Sequence, residues 1–456
     1  MTRDLADSVQ ARMADLFDVT LNRADKALSR DDLINAMQSC DVLVPTVTDM
    51  IDAEMISKAG PRLKLIANFG SGVDNIDLKA ARERNIIVTN TPGVFTEDTA
   101  DMTMALILSV PRRLAEGEKL VRSGKWEGWK PSGMLGHRIH GKTLGIIGMG
   151  RIGQAVAKRA AGFGLTVRYH NRKQFSAAAE QQLGASYEPD LDTLIAGSDI
   201  ISLHCPHTAE THELINSERI GKMKESAYIV NTSRGEIIDE NALILSVPRR
   251  LAEGEKLVRS GKWEGWKPSG MLGHRIHGKT LGIIGMGRIG QAVAKRAAGF
   301  GLTVRYHNRK QFSVAAEQQL GASYEPDLDT LIAESDIISL HCPHTAETHE
   351  LFNSERIGKM KKSAYIVNTS RGEIIDENAL ILALQAGKIS GAGLDVYTDE
   401  PKVDERLLAL KNVVLLPHVG SATFEGREEA GGRVIANIRI WADGHRPPDQ
   451  VLEGWA

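Results

Sequence analysis

Several residues in this chain have types and spacings that could do chemistry. Gly148-Met149-Gly150-Arg151-Ile152-Gly153 follows the apolar run TLGII and opens the stretch IGQAVAKRAAGFG, and Gly285-Met286-Gly287-Arg288-Ile289-Gly290 repeats it. Glycines at that spacing, between a strand and a helix, permit a tight turn and bring backbone N–H groups and the helix dipole against a pyrophosphate. An enzyme using NAD usually carries a carboxylate at the end of the next strand to hold the ribose 2′-hydroxyl. Here Asn171 and Arg172 stand there, followed by Lys173, and Asn308, Arg309 and Lys310 follow in the second occurrence. A neutral amide with two cations attracts a 2′-phosphate, which favours NADP(H) while leaving NAD(H) open.

The arginine of Asn231-Thr232-Ser233-Arg234-Gly235-Glu236, and Arg371 in Asn368-Thr369-Ser370-Arg371-Gly372-Glu373, each end an apolar run. At the C-terminal end of a parallel strand such a guanidinium faces the ligand crevice, and its fork matches the carboxylate and carbonyl oxygens of a 2-oxo acid. Asp399-Glu400-Pro401 and Pro417-His418-Val419-Gly420-Ser421 each follow a late apolar run. A histidine beside a carboxylate is favoured as imidazolium and can protonate an alkoxide as hydride arrives. Arg371, Arg234, Glu400 and His418 are therefore the catalytic candidates, and Thr369 and Asp395 join the dinucleotide-binding set. His204-Cys205-Pro206-His207 with His212 is rejected as a metal site. Adjacent residues of a strand face opposite ways, and no second cluster completes a tetrahedral set.

The elements that position these groups are written twice. Residues 105–241 and 242–378 are one text at an offset of 137, differing at Ala177/Val314, Gly197/Glu334, Ile215/Phe352 and Glu225/Lys362. Each unit holds several different strands and helices, so it is no solenoid repeat. The tetrapeptide Ala-Leu-Ile-Leu stands at 105–108, 242–245 and 379–382, and a slip at that identity would produce the arrangement. Removing 137 from 456 leaves 319 residues, a sensible length for one two-domain enzyme.

Strands are expected at Phe17–Leu21, Asp41–Pro45, Leu63–Phe69 and Ile86–Thr89, and in each repeat at Thr143–Gly148, Leu165–Tyr169, Asp199–Leu203, Ala227–Asn231 and their equivalents. Gly393–Tyr397 and Val413–Leu416 occur once, and a terminal helix is expected over about Phe424 to Ala442. Alternation of apolar runs with helical stretches predicts an α/β fold of two doubly wound parallel-sheet domains. The division expected is a flavodoxin-like substrate domain from 1–98 and 424–456, a first, incomplete copy of the Rossmann unit over 99–241, and a second, complete one over 242–423. The second copy is favoured as the working one, because its strands run on to Glu400 without interruption and local pairings form first.

Composition excludes some functions. The formal charge is −2 over 456 residues, so no basic excess recruits nucleic acid or an acidic membrane surface. Cys40, Cys205 and Cys342 make no disulfide framework, the N-terminus MTRDLADSVQARM lacks the apolar core of a secretory signal, and no apolar run is long enough to span a bilayer. A soluble cytoplasmic protein is expected.

The segments GKTLGIIGMGRIGQAVAKR, NTSRGEIIDENAL, GLDVYTDEP and LLPHVGSAT resemble the signature blocks of the D-isomer-specific 2-hydroxyacid dehydrogenases. The tract WEGWKPSGMLGHRIHGKTLGIIG and the turn YHNRK look most like their glyoxylate and hydroxypyruvate reductase branch. The resemblance covers nearly the whole chain. It implies Arg371, or its twin Arg234, as the substrate-polarising arginine, His418 as acid/base and Glu400 as its partner. It also implies that Gly70, Ser71, Gly72 and Val73 offer backbone N–H groups to the substrate carboxylate, and that the protein is a homodimer packed through about Thr103 to Trp129. Two features depart from the family pattern. The chain opens at Met1-Thr2-Arg3 where relatives carry a short apolar strand, and the duplication supplies two β1–β4 blocks for one late strand pair. Rival readings are a regulatory or inactive dinucleotide-binding protein, and an enzyme like formate dehydrogenase, a branch that lacks the Glu–His pair.

Overall fold

The computed structural model describes residues 1–238, 275–425, 427–429, 443 and 445. The seam at 242–245 and most of the expected terminal helix lie outside the described residues.

Every paired strand is parallel. The N-terminal region holds β1 (Val42–Leu43), β2 (Leu65–Ala67) and β3 (Ile87–Thr89), in that order. The first repeat gives β4 (Thr143–Ile147), β5 (Thr166–His170), β6 (Ala185–Tyr187), β7 (Ile200–Leu203) and β8 (Tyr228–Asn231), ordered β6-β5-β4-β7-β8. The second gives β9 (Thr280–Ile284), β10 (Thr303–His307), β11 (Ala322–Tyr324), β12 (Ile337–Leu340) and β13 (Tyr365–Asn368). It continues into β14 (Gly391–Leu394) and β15 (Val413–Leu415), so its sheet is β11-β10-β9-β12-β13-β14-β15. The order reverses between β4 and β7 and between β9 and β12, which opens the crevice where doubly wound folds bind ligands. Central strands covered by helices on both faces are buried throughout, as Leu144, Ile146 and Ile147 are in β4 and Leu281, Ile283 and Ile284 in β9.

Two details differ from the strands expected. Phe17–Leu21 forms no strand, and Phe17 is 62% exposed. A parallel strand needs a neighbour to take its N–H and C=O groups. Among the described residues β1 is an edge strand, and just beyond it the Thr2 N–H donates to the Val44 carbonyl at 3.0 Å while the Met1 ammonium donates to the Thr20 carbonyl. Conversely, β6 and β11 were not expected. Ala-Ser-Tyr is too short and too polar to announce a strand, and pairing with β5 and β10 creates it.

The two repeats pack against each other about a local two-fold relation. Phe163 meets Phe300 edge to face at 6.0 Å, Arg159 lies over Phe300 at 5.4 Å, and Arg296 lies over Phe163 at 5.5 Å. Phe163 meets its own 137-offset twin, and the contact of Arg159 with Phe300 is mirrored by that of Arg296 with Phe163, which is the signature of an isologous interface. Glycines permit the approach: a Cβ on Gly162 would stand 3.2 Å from Arg296 Cα, and one on Gly299 2.9 Å from Arg159 Cα. The surroundings are not symmetric. Arg159 is buried and paired with Glu97 and Asp101, both upstream of the repeat, so Arg296 has no twin for them.

Candidate active site

The glycine turns have the same geometry in both copies. Gly148 and Gly285 take φ of 95° and 92°, the left-handed region that favours glycine. A Cβ there would strike the backbone N of Cys205 or Cys342 at 2.4 Å. A Cβ on Gly153 or Gly290 would meet the carbonyl of Gly148 or Gly285 at 2.4 and 2.3 Å, whereas above Gly150 and Gly287 there is open space. No side chain caps the helices Arg151–Gly162 and Arg288–Ala297 that start there. Backbone, dipole and space thus fit a dinucleotide pyrophosphate in each copy. Ile152 is partly buried and Ile289 exposed, so neither copy's isoleucine is held in the same way. The basic turns lie at the ends of β5 and β10, with Arg172, Arg309 and Lys310 exposed and the Asn171 and Asn308 amides donating to the carbonyls of Lys173 and Lys310.

Arg234 and Arg371 follow β8 and β13 on the same local frame. In each copy the asparagine ending the strand donates to the arginine's own carbonyl at 2.8 Å. Their side chains then meet different partners. Arg234 donates from Nε and Nη2 to the Asp74 carboxylate, both at 3.0 Å. Burial raises the Asp74 carboxyl, but the Arg234 hydrogen bonds and charge outweigh it and hold the group below its usual value. Arg371 is exposed, donates to the Ser370 carbonyl at 2.7 Å, and has no ion-pair partner among the described residues.

Glu400 and His418 meet at 2.9 Å, Oε2 to Nδ1. The hydrogen bond to Glu400 raises the imidazole pKa most. Partial burial opposes it, the charges of Glu400 and Asp395 add to it, and Arg371 counters them. The net shift is upward. Arg371, Glu400 and His418 follow β13, β14 and β15, which are adjacent parallel strands, so the three candidates lie at one end of the second sheet. His418 takes φ of 54°, a strained conformation that neighbouring contacts must impose. Asp395, buried beneath, accepts from the N–H groups of Val419 and Gly420, both at 2.7 Å. Burial pushes its own carboxyl up. The Tyr397 N–H donates to Glu400 Oε1 at 3.1 Å, and Gly372 is pressed so closely on Tyr397 that a Cβ would sit 2.0 Å from its carbonyl carbon. Thr369 is exposed beyond the end of β13.

The loop Gly70–Val73 is shaped by Asn68, whose amide donates to the Gly72 carbonyl at 2.8 Å, and by Ser71, whose hydroxyl donates to Thr91 at 3.0 Å. A Cβ on Gly72 would meet Arg234 Nη2 at 2.5 Å. The structure therefore brings the loop to Arg234 and brings Glu400 and His418 to Arg371, dividing the candidate set between the two copies. Sequence reasoning did not single out Asp74, because one acidic residue in a loop carries no signal of what it will meet.

His204 and His341 hydrogen-bond Ser202 and Ser339 and are held neutral by burial, with pKa lowered to about 4. Neither can be the acid. Among the described residues no three His, Cys, Asp or Glu side chains gather as metal ligands, and no helix is long and apolar enough to cross a membrane.

A parallel sheet with a glycine turn at its switch point and an Arg, Glu, His set on its strand ends defines a dinucleotide-dependent dehydrogenase class. The family model for the NAD binding domain of D-isomer specific 2-hydroxyacid dehydrogenases matches twice, over residues 104–247 and 242–420. The chain is 33% identical over 451 residues to the glyoxylate reductase of Thermococcus litoralis, covering 99% of this chain and 95% of the relative. It is 44% identical over 453 residues to that of Korarchaeum cryptofilum, covering 99% and 94%. Among solved structures, the TT0316 protein of Thermus thermophilus is 30% identical, with 99% and 98% covered and a TM-score of 0.36. The chain belongs to the D-isomer specific 2-hydroxyacid dehydrogenase family, and the two matches coincide with its internal duplication.

Proposed function

We propose that the protein reduces a small 2-oxo acid of the glyoxylate or hydroxypyruvate kind to the D-2-hydroxy acid with NADP(H) as favoured donor, at a site built on the second repeat. One observation carries the reading: Arg371, without an ion-pair partner among the described residues, and the hydrogen-bonded pair Glu400–His418 follow the adjacent parallel strands β13, β14 and β15 at one end of the second sheet. The glyoxylate reductases among the relatives support the substrate class.

A bound nicotinamide supplies the hydride. The residues of this chain do the rest. The Arg371 fork holds the substrate carboxylate and draws charge onto the carbonyl oxygen. With Nδ1 on Glu400, His418 presents Nε2 as the proton donor, and the adjacent carboxylate keeps the imidazolium populated until the alkoxide takes that proton. Gly285, Gly287 and Gly290, with the N–H groups at Arg288 and Ile289, would hold the pyrophosphate, and Asn308, Arg309 and Lys310 the 2′-phosphate. The first repeat holds no late strands among the described residues, and its arginine is occupied by Asp74. The loop Gly70–Val73 meets Arg234 of the first repeat, so in this reading the substrate carboxylate rests with Arg371. An assay of NADPH oxidation against a panel of 2-oxo acids tests the reading, which fails if none is turned over.

A further inference from the structure

Residues just after the start of the first repeat leave their own sheet and lie along the second. The helix Leu114–Arg122 crosses the outer edge of the second sheet, where Arg122 donates to the carbonyls of Leu408, Leu410 and Val413 at 2.8, 3.0 and 2.6 Å. Val121 and Trp126 are buried in the second repeat's core, with Trp126 edge-on to Tyr397 at 5.7 Å. Gly117 is pressed against Pro417, the residue before His418. At the head of this arm Arg112 sends Nη2 to the carbonyl oxygens of Val419 at 2.6 Å and Gly420 at 3.1 Å.

This use of a guanidinium is unusual. Arg112 is only partly exposed, has no ion-pair partner among the described residues, and leaves its buried Nε without a hydrogen-bond partner. Burial opposes its charge, with Asp395 and Glu425 acting the other way. A desolvated cation spending its donors on two main-chain carbonyls holds those carbonyls firmly. The same two residues give their N–H groups to Asp395. The turn after His418 is thus gripped from both sides, by Asp395 of the second copy through its N–H groups and by Arg112 of the first through its carbonyls. Such a grip can sustain the positive φ of His418 and keep Nδ1 on Glu400.

We propose that Arg112, supplied by the first repeat, is a positioning residue for the acid/base His418 of the second. The first repeat then acts as a built-in partner to the working one. The inference rests on the reading of His418 as proton donor.

The test compares Arg112→Ala, Arg112→Lys, Arg113→Ala and His418→Ala in the full chain, measuring kcat, KM and dinucleotide Kd. Arg113 neighbours Arg112 but is exposed and pairs with Glu116, so its variant controls for charge loss on the arm. Misplacing a catalytic group by about an ångström can cost up to about a hundredfold in rate. Arg112→Ala should lower kcat about tenfold with dinucleotide Kd unchanged, Arg112→Lys should recover part of the loss, and Arg113→Ala should match the parent. Unchanged kcat in Arg112→Ala, beside a His418→Ala variant that has lost turnover, overturns the positioning role and leaves the reading of the site intact. Full turnover in His418→Ala overturns the reading itself. Should Arg112→Ala not fold, Arg112→Lys decides alone: parental kcat with the guanidinium gone contradicts the proposal, and reduced kcat at unchanged Kd supports it.

Discussion

Arg234 holds Asp74 through two hydrogen bonds of 3.0 Å, while Arg371, its twin 137 residues on, has no ion-pair partner among the described residues. Local sequence cannot separate these arginines, since the flanking text is the same. What differs is the neighbour each sheet acquires. The N-terminal region leads directly into the first repeat, so its loop meets Arg234. The late strands follow the second repeat, so Glu400 and His418 meet Arg371. An arginine whose fork is already filled cannot also bind a substrate carboxylate without losing that pair, which argues for the second copy as the catalytic one.

Cofactor choice follows from the turn after β10. With Asn308, Arg309 and Lys310 there and no carboxylate in the triplet, kcat/KM with NADPH should exceed that with NADH, and Arg309→Ala should shrink the ratio. Steady-state rates with both donors check this. Equal or better use of NADH by the parent protein would contradict it.

The pH dependence has a definite sign. In the proposed reaction, reduction needs the His418 imidazolium, and its pKa is raised above the ordinary 6.5, first by the Glu400 hydrogen bond. Turnover should therefore be full at lower pH and fall as pH rises through the shifted pKa. Glu400→Gln removes the main raising influence, leaving burial and Arg371 to lower the pKa against Asp395, so the falling limb should move to lower pH. A kcat–pH profile of the two proteins reads this directly, and a limb that stays put would remove Glu400 from the account.

The fold also bears on assembly. The resemblance implies a homodimer packed through about Thr103 to Trp129, yet Val121 and Trp126 of that segment are buried on the second repeat, and Phe163 and Phe300 meet within the chain. This copy of the face is taken up within the chain, and its twin at 242–266 lies outside the described residues. Light scattering after size exclusion should give a mass near 49.7 kDa. A mass of twice that value would show a further dimer face.

Much of this was legible in the sequence, for identifiable reasons. The central strands of each repeat, β4 and β7 with their twins β9 and β12, are largely apolar runs ending in glycine or polar turns, and those patterns survive in any context. The pairing of Glu400 with His418 was implied by the family resemblance, and the structure sets the strands they follow side by side. Phe17–Leu21 misled because an apolar run forms a strand only beside a partner. The division of the loop and the arginines, and the reach of Arg112 to Val419, were not legible. They depend on which copy packs where, and the two copies are written alike. Unrepeated residues, among them Glu97 and Asp101 against Arg159 and Asp74 against Arg234, break that symmetry.

The central claim is that the 2-oxo acid is turned over on the second repeat. Its most direct test is kcat for NADPH-dependent reduction of glyoxylate and hydroxypyruvate by Arg371→Ala and Arg234→Ala, each purified as the full chain. The account predicts that Arg371→Ala loses about a hundredfold or more, as removal of a group binding the developing charge does, while Arg234→Ala keeps the parental rate. Loss in Arg234→Ala with Arg371→Ala unimpaired would place the reaction on the first repeat and contradict the account.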